Sequence, residues 1–589
     1  MVPGPVRSKV GGRDTGATRF TPIDTDHIDL AIADLQSAKT RWARIDVSEK
    51  LRYINGLRSA TFEHSRRWVE RAIKAKGLSI SSPLVGEEWI AGPFGVIDAL
   101  NSLEVTLSRI ADTGDVLEGF DVKTRDSGQV TVKVMPETTV ERLLFSGSTA
   151  EVWMQPEITV DNIRDHVAEF YGIDNPEGAV CAVMGAGNVA SIPPLDVIHR
   201  LFNKGEVAIL KMNPINEYLG EVFEDIFADL IASDFVRLVH GDGSVGAHLV
   251  SHDGIDTIHL TGSGNTYNAI RFGTGDEGRL NRVSDTPIND KPISAELGGV
   301  NPTIVVPGDW SRADLRFHAD HVVTQKMNNS GFNCVAAQIL VLPESWELSD
   351  AFLDDVRTHL AGLDDRDAYY PGVGDRCDAV VAGSGTVESF GSEHKRLLVT
   401  GLDPTATDDA AFNTEYFAPV LSVVRLPSPD VKTYLENAVT FANDVLEGTL
   451  GATLIIHPKT ERTHEAAFNK ALEDLEYGGI GINIWNAAVY LQSRCPWGAY
   501  PGHSRADIGS GVGVVHNTVM LGNTQKSVYR APFAPYYRTL TKGELHIAPK
   551  PIWYLSNKRA QATAELLVNY SATGSPTDLV KLMTSAIRG

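Results

Sequence analysis

Cysteine is scarce. The 589 residues hold 4 of them, Cys181, Cys334, Cys377 and Cys495, far apart and with no C-x-x-C pair. That spacing argues against a disulfide framework and a cysteine-built zinc site, and it fits a reducing, cytoplasmic compartment. Basic residues are also in deficit: 53 Lys and Arg against 75 Asp and Glu leave a net charge of −22. No local basic stripe offsets that field, so no nucleic-acid partner is expected. No run approaches the ~18 consecutive apolar residues of a membrane span. The opening 20 residues, rich in Gly, Pro and Arg, lack the apolar centre of a signal peptide and read as a disordered tail. The histidines are read as lacking H-x-x-x-H or similar ligand spacing, so no metal site is expected.

What is present is an ordinary globular composition, 42% hydrophobic and 22% charged, on a chain long enough to bury a large core without staples. From Asp26 to Lys74 apolar residues fall at helical spacing: Leu30, Ile32 and Leu35, then Leu51, Ile54, Leu57 and Phe62. From Val116 to Val160 the pattern becomes alternation, as in Val130, Val132 and Val134, which predicts strands. Near the end, Ser575, Pro576 and Asp578 predict a capping box and first turn. The helix they open would carry Leu579, Leu582, Met583 and Ile587 on its apolar face.

Between Ala179 and Ser263 short apolar runs alternate with helical stretches. Segments 180–184, 207–210, 236–239 and 257–260 are predicted strands. Leu219, Val222, Phe223, Ile226, Phe227, Leu230 and Ile231 form the stripe of a helix lying on a sheet. Strands joined by helices imply right-handed crossovers and a parallel, Rossmann-like sheet. A second α/β pattern runs from Thr303 to about Pro458, with strand candidates at 303–306, 339–342 and 397–399. Gly185-Ala186-Gly187-Asn188-Val189-Ala190 follows the first strand and matches G-x-G-x-x-G/A. The second strand, however, ends in Lys211, where the usual dinucleotide fold has an acid for the ribose.

Asn188 after one strand and Lys211 after the next begin a series. Thr261-Gly262-Ser263 follows, then Glu296-Leu297-Gly298-Gly299 with Asn301-Pro302, then Gly331-Phe332-Asn333-Cys334. Glu415-Tyr416-Phe417-Ala418-Pro419 and Pro496-Trp497-Gly498 close it. In kind and order these motifs resemble those of the aldehyde dehydrogenase superfamily, roughly from Asp26 to Phe533, with a partial likeness to the acyl-CoA reductase branch at Gly-Ala-Gly-Asn-Val.

The resemblance implies an α/β fold with a Rossmann-like cofactor domain, a second α/β catalytic domain and a small strand-rich oligomerisation region. It divides the chain into a tail over 1–20 and an N-terminal helical and NAD(P)-binding domain over 21–296, with the strand-rich segment at about 116–160. A catalytic domain over 297–500 follows, then a return segment and C-terminal extension over 501–589. It implies NAD or NADP as cofactor, a small aldehyde as substrate, and a homodimer or homotetramer. Cys334 would be the nucleophile, since a thiolate adding to an aldehyde makes the tetrahedral centre from which hydride can leave. Asn188 and the Cys334 N–H would hold the oxyanion, and Glu296 would activate the water that hydrolyses the thioester. Lys211, Gly262, Ser263, Glu415 and Phe417 would hold the cofactor.

Singly, each residue has a plainer reading: a core cysteine, a surface lysine, a turn asparagine. Jointly, in this order, they favour the enzyme. Three departures bear on details. Pro214 stands where the family often has the glutamate that favours NAD, which leaves Glu217 as the nearest acid. The stretch from Arg271 to Asp290 is expected to be an extra loop, and the sequence after Phe533 has no recognised counterpart. Two alternatives remain at this stage: a CoA-dependent acylating enzyme, which generally lacks a glutamate at position 296, and a catalytically silent binding protein.

Overall fold

The computed structural model describes residues 25–392, 395–539, 542, 544 and 546–589. The tail expected over 1–20 lies outside the described residues. The chain opens with helices Asp26–Arg44 and Val47–Ala75. Asp46 starts the second by accepting the Glu49 amide, which satisfies one of the free N–H groups of its first turn. Ile28, Ile32 and Leu35 face inward, whereas Leu30 is exposed, so the buried stripe runs one turn back through Ile28.

The four strands expected between 179 and 263 are Val180–Met184, Val207–Lys211, Val236–Val239 and Thr257–Gly262. With Ile293–Leu297 they form a parallel sheet, completed by Gly511–Val512 antiparallel at its edge. Every residue of Val207–Lys211 is buried, as expected of a strand covered on both faces by crossover helices. The helix expected over 219–231 is broken at Phe227 into Gly220–Ile226 and Ala228–Ala232. The stretch 271–290 is no simple loop: it holds the end of Gly264–Phe272 and the helix Gly275–Val283.

The second sheet has eleven strands. Asn301–Val305, Ala337–Pro343, Val420–Leu426, Arg396–Leu402 and Gly451–Ile455 form its parallel centre. The strand-rich segment, Asp121–Thr124, Val130–Met135 and Thr149–Met154, is continuous with it. Thr149–Met154 pairs antiparallel with Thr524–Arg530, which in turn pairs parallel with Gly479–Ile482. Lys526 fixes that junction from beneath, donating to the carbonyls of Leu472, Glu473 and Leu475.

The C-terminal helices Ala560–Thr573 and Pro576–Ile587 lie on the N-terminal ones. Ala564, Leu567, Val568 and Leu582 join Val69, Ile73, Val85, Trp89 and Ile97 in one apolar cluster. The capping box expected at Ser575 is not formed: Ser575 makes no side-chain cap bond and Asp578 pairs with Lys581 instead. Ile587 is exposed, and Ser585 takes the inner face, bonding Thr563 at 2.8 Å. The helices approach so closely that a Cβ on Gly86 would lie 2.7 Å from the backbone carbon of Ala560. Backbone cannot swing aside, so Gly86→Val should cost about 1–3 kcal/mol. A thermal melt of the variant should show the loss, and an unchanged melting temperature would contradict this packing.

Candidate active site

The strands of the small sheet end along one rim, where loops outside the carboxyl ends of a parallel sheet form a ligand crevice. The cleft there has a volume of about 1380 Å³. Asn188, Lys211, Gly262, Ser263, Glu296, Cys334, Glu415 and Phe417 all line it, so the fold gathers every residue singled out from the sequence.

Cys334 follows a turn in which Asn329, Ser330 and Gly331 all adopt the left-handed conformation. A Cβ on Gly331 would lie 2.6 Å from the Ala418 carbonyl oxygen, so glycine is required there. The strained turn is held by side-chain amides. Asn329 Nδ2 donates to the carbonyls of Asn188 and Phe332 and to Asn333 Oδ1. Asn188 Nδ2 donates to the Phe332 carbonyl at 3.0 Å, so one of its two amide hydrogens is spent on this turn. From the other sheet, Asn301 Nδ2 donates to the carbonyl of Cys334 at 2.5 Å, and its Oδ1 accepts the Gly451 amide.

Glu296 lies on Ile293–Leu297, level with Thr261 on the next strand and with Gly511 on the other side. It is 3% exposed. Burial pushes its carboxyl up to about 7; the Cys334 thiol and the Trp497 indole it faces pull it down, and Asp196 adds to the rise. Its Oε1 is buried without a hydrogen-bond partner. The Cys334 thiol is driven well above its ordinary value by burial and then by Glu296. The pair is coupled: the thiol favours the charged carboxylate, and the carboxylate disfavours the thiolate.

Glu415 packs against Gly298, where a Cβ would fall 1.9 Å from its Oε2. Burial pushes it up to about 8, opposed by Lys326 and Arg376 and reinforced by Glu296. Phe417 is left-handed, and its carbonyl accepts from Arg376 at 3.1 Å. Lys211 sits at its strand end with its ammonium pulled down by partial burial, against the pull of Asp242 and Glu217. Glu217 bonds His240 Nδ1 at 3.1 Å. Ser263 caps the helix Gly264–Phe272 by accepting the Thr266 amide.

Sequence reasoning missed Arg376 and Tyr370, which line the cleft from a stretch carrying no motif. It also missed Asp196, buried in the apolar helix Ile192–Ile198, and Lys326, buried in the helix Arg312–Met327. Contrary to that reading, His248 and His252 do stand at H-x-x-x-H spacing, the first in the helix Gly243–Ser251 and the second just past its end. In the fold both face Asp29, at 2.6 and 3.6 Å. Among the described residues no group of three or more His, Cys, Asp or Glu is disposed to hold a metal.

Fold and cleft thus define a two-sheet α/β protein with a large crevice in which a half-buried thiol faces a buried carboxyl. The sequence profile of the Aldehyde dehydrogenase family matches residues 151–372. N-succinylglutamate 5-semialdehyde dehydrogenase of Chromobacterium violaceum is 26% identical over 358 residues, covering 55% of this chain and 68% of its own. Malonate-semialdehyde dehydrogenase of Halalkalibacterium halodurans is 24% identical over 301 residues, covering 48% of this chain and 56% of its own. Among solved structures, lactaldehyde dehydrogenase from Escherichia coli superposes with a TM-score of 0.55 at 16% identity, over 85% of this chain and 90% of that one. An NADP-dependent glyceraldehyde-3-phosphate dehydrogenase from Bacillus halodurans gives 0.54 at 17% identity, over 86% and 91%. Over residues 151–372 the chain is thus similar to the Aldehyde dehydrogenase family, and its fold is the one seen in aldehyde dehydrogenase structures.

With its charged form disfavoured, the Cys334 thiol is protonated at pH 7. Iodoacetamide should therefore label it more slowly than an exposed cysteine, with a rate still climbing beyond pH 9. Glu296→Gln removes the adjacent negative charge and should raise the labelling rate at pH 8. Mass spectrometry of the peptide containing residue 334 reads both.

Proposed function

We propose that the protein oxidises an aldehyde to a carboxylic acid with NAD or NADP, through a thioester on Cys334 that water hydrolyses. The observation that carries this reading is the facing pair Cys334–Glu296 in the same cleft as Lys211, Ser263 and Glu415. The residues present fit a dinucleotide. A Cβ on Gly187 would strike Asn213 Oδ1 at 2.7 Å, so the backbone of the first turn stays bare of side chains, and Lys211 offers a cation at the next strand end. When bound, the nicotinamide supplies the hydride acceptor.

The chain's own residues supply the rest. Glu296 takes the thiol proton, and the sulfur bonds to the aldehyde carbon. The remaining Asn188 amide hydrogen and the Cys334 N–H donate to the oxygen as it gains charge. Once the carbon has lost its hydride, a thioester remains. Glu296 first releases that proton to solvent; water then adds to the thioester carbon as its proton passes to Glu296, the C–S bond breaks with its electron pair going to sulfur, the proton returns from Glu296 to the thiolate, and the acid leaves. A carboxyl near 7 suits a base that must hold and release protons at neutral pH. The presence of Glu296 favours water over CoA as acyl acceptor, and the retained Cys334–Glu296 pair disfavours a silent binding role. The protein works in the cytoplasm as a homodimer or homotetramer, which light scattering tests. Strand Asp121–Thr124, at the end of the large sheet, offers an open edge for such assembly.

Glu296→Gln should still give one rapid equivalent of reduced nucleotide per site and then stall as the acyl-enzyme. Steady turnover should fall on the order of 10²–10⁴-fold. Cys334→Ala should lose both phases and keep nucleotide affinity. Undiminished steady acid production by Glu296→Gln without CoA would remove Glu296 from the mechanism.

Asn213, a neutral side chain, lines the cleft beside Lys211, and Glu217 is engaged by His240. With no acid committed to the ribose, NADP should bind as well as NAD within about tenfold in a fluorescence titration. Binding of NAD alone would contradict this.

A further inference from the structure

Between the sequence after Phe533 and the body of the protein lies a second cavity, of about 190 Å³. Its walls are mostly apolar. Ile90, Phe94, Ile484 and Leu491 line it from the body, and Ile552, Trp553, Leu567 and Leu582 close it from the C-terminal segment. Four prolines, Pro532, Pro535, Pro549 and Pro551, stand in the wall. Each fixes its own backbone angle, so the wall resists the collapse by which a flexible segment would fill a void. An apolar cavity of about 150 Å³ stays dry and takes up benzene. This one has room for a single ring with one or two further atoms.

Two lining residues carry polar groups that no neighbour engages. His321 is 1% exposed, and among the described residues neither of its ring nitrogens has a hydrogen-bond partner. Its ring stacks on Tyr554, with centroids 5.4 Å apart. Trp553 Nε1 is likewise buried without a partner. Buried polar groups are paired in the great majority of cases, so unpaired ones gathered at a cavity ask for an occupant. The charged lining residues are already engaged. Asp98 accepts from Ser493 at 2.7 Å, Glu141 pairs with Arg494, and Lys550 pairs with Asp320 at 2.8 Å. Burial pushes His321 down to about 3, so it is neutral at pH 7. The cavity therefore offers no free charge to an ion.

The cavity is distinct from the cleft, for neither Cys334 nor Asn188 lines it. Neighbouring residues of one segment face opposite ways between the two. Ile484 and Ala488 line the cavity. Trp485 instead donates to the Val335 carbonyl, beside Cys334, at 2.7 Å, and Tyr490 Oη lies 3.2 Å from Ser191 Oγ, just past Asn188.

We propose that this cavity is a second binding site, taking a neutral alcohol or phenol with a compact apolar body. The body packs among Phe94, Leu491 and Leu567. The hydroxyl meets the neutral His321 ring, which holds one donor and one acceptor, with the Trp553 N–H as a further donor. A molecule held there is walled off from the thiol, so it is a ligand of the protein and not the aldehyde being oxidised. The inference stands apart from the chemistry proposed for Cys334.

Benzyl alcohol, a ring with two further atoms, is the probe, and toluene is its control without the hydroxyl. Isothermal titration of the full chain should give saturable binding of one benzyl alcohol per chain, with a Kd at or below about 1 mM. Ala488→Phe places a ring in the space and should abolish that binding. His321→Phe keeps the stack on Tyr554 and removes both nitrogens. It should weaken benzyl alcohol relative to toluene by about three- to tenfold, the contribution of one hydrogen bond. Blocking Cys334 with iodoacetamide should leave the affinity unchanged. Absence of saturable binding, binding that survives Ala488→Phe, or binding lost once Cys334 is blocked overturns the proposal. Should Ala488→Phe fold poorly, His321→Phe decides, and an unchanged ratio of the two affinities overturns it.

Discussion

The rest of the site depends on how the Cys334 turn is tied down. Left-handed geometry at residues other than glycine costs on the order of 1–3 kcal/mol each and persists only where the surroundings over-determine it. Here three asparagines do so. Asn188 reaches in from the small sheet, Asn301 from the large one, and Asn329 bonds within the turn. The thiol is therefore placed by both lobes at once. Its position is a property of their union, and neither sheet alone would define it.

That union also concentrates charge where water is scarce. Glu296 lies within electrostatic reach of Asp196 and of Glu415, and Glu415 is opposed by Lys326 and Arg376. Burying ionisable groups in this way is costly for stability and is a mark of functional sites, where proton affinities are held away from their solution values. Neutral glycines make the crowding possible. Gly298 gives its side-chain space to the Glu415 carboxylate, and Gly331 yields its own to the Ala418 carbonyl.

Most of the small sheet could be read from the chain because its strands are short apolar runs bounded by glycine turns, as at 180–184 before Gly185. Asn188, Ser263 and Cys334 were legible for the same reason, each beside a glycine turn, whereas Lys211 and Glu296 lie on strands and were legible through the order of the motifs. Asp196 and Lys326 were not, since a buried ionisable residue in a helix resembles an exposed one until its neighbours are known, and the half-buried Arg376 carries no motif. The Ser575 box failed because Asp578 found a nearer partner in Lys581. The helices at 264–283 were hidden by a glycine- and charge-rich composition that suggested a loop. Continuity of the strand-rich segment with the large sheet rests on Thr524–Arg530, a pairing across hundreds of residues that local pattern does not encode.

The edge strand Gly511–Val512 bears on how the protein is made. Glu296 emerges about halfway through this sequence, yet the strand beside it and the indole it faces come from its last fifth. Translation extends a chain at about 5–20 residues per second, so seconds pass in which the thiol and its carboxyl exist without their final surroundings. A nascent or prematurely terminated chain therefore carries a cysteine but no assembled proton acceptor, and its reactivity toward cellular aldehydes stays that of an ordinary thiol until the C-terminal segment has folded back.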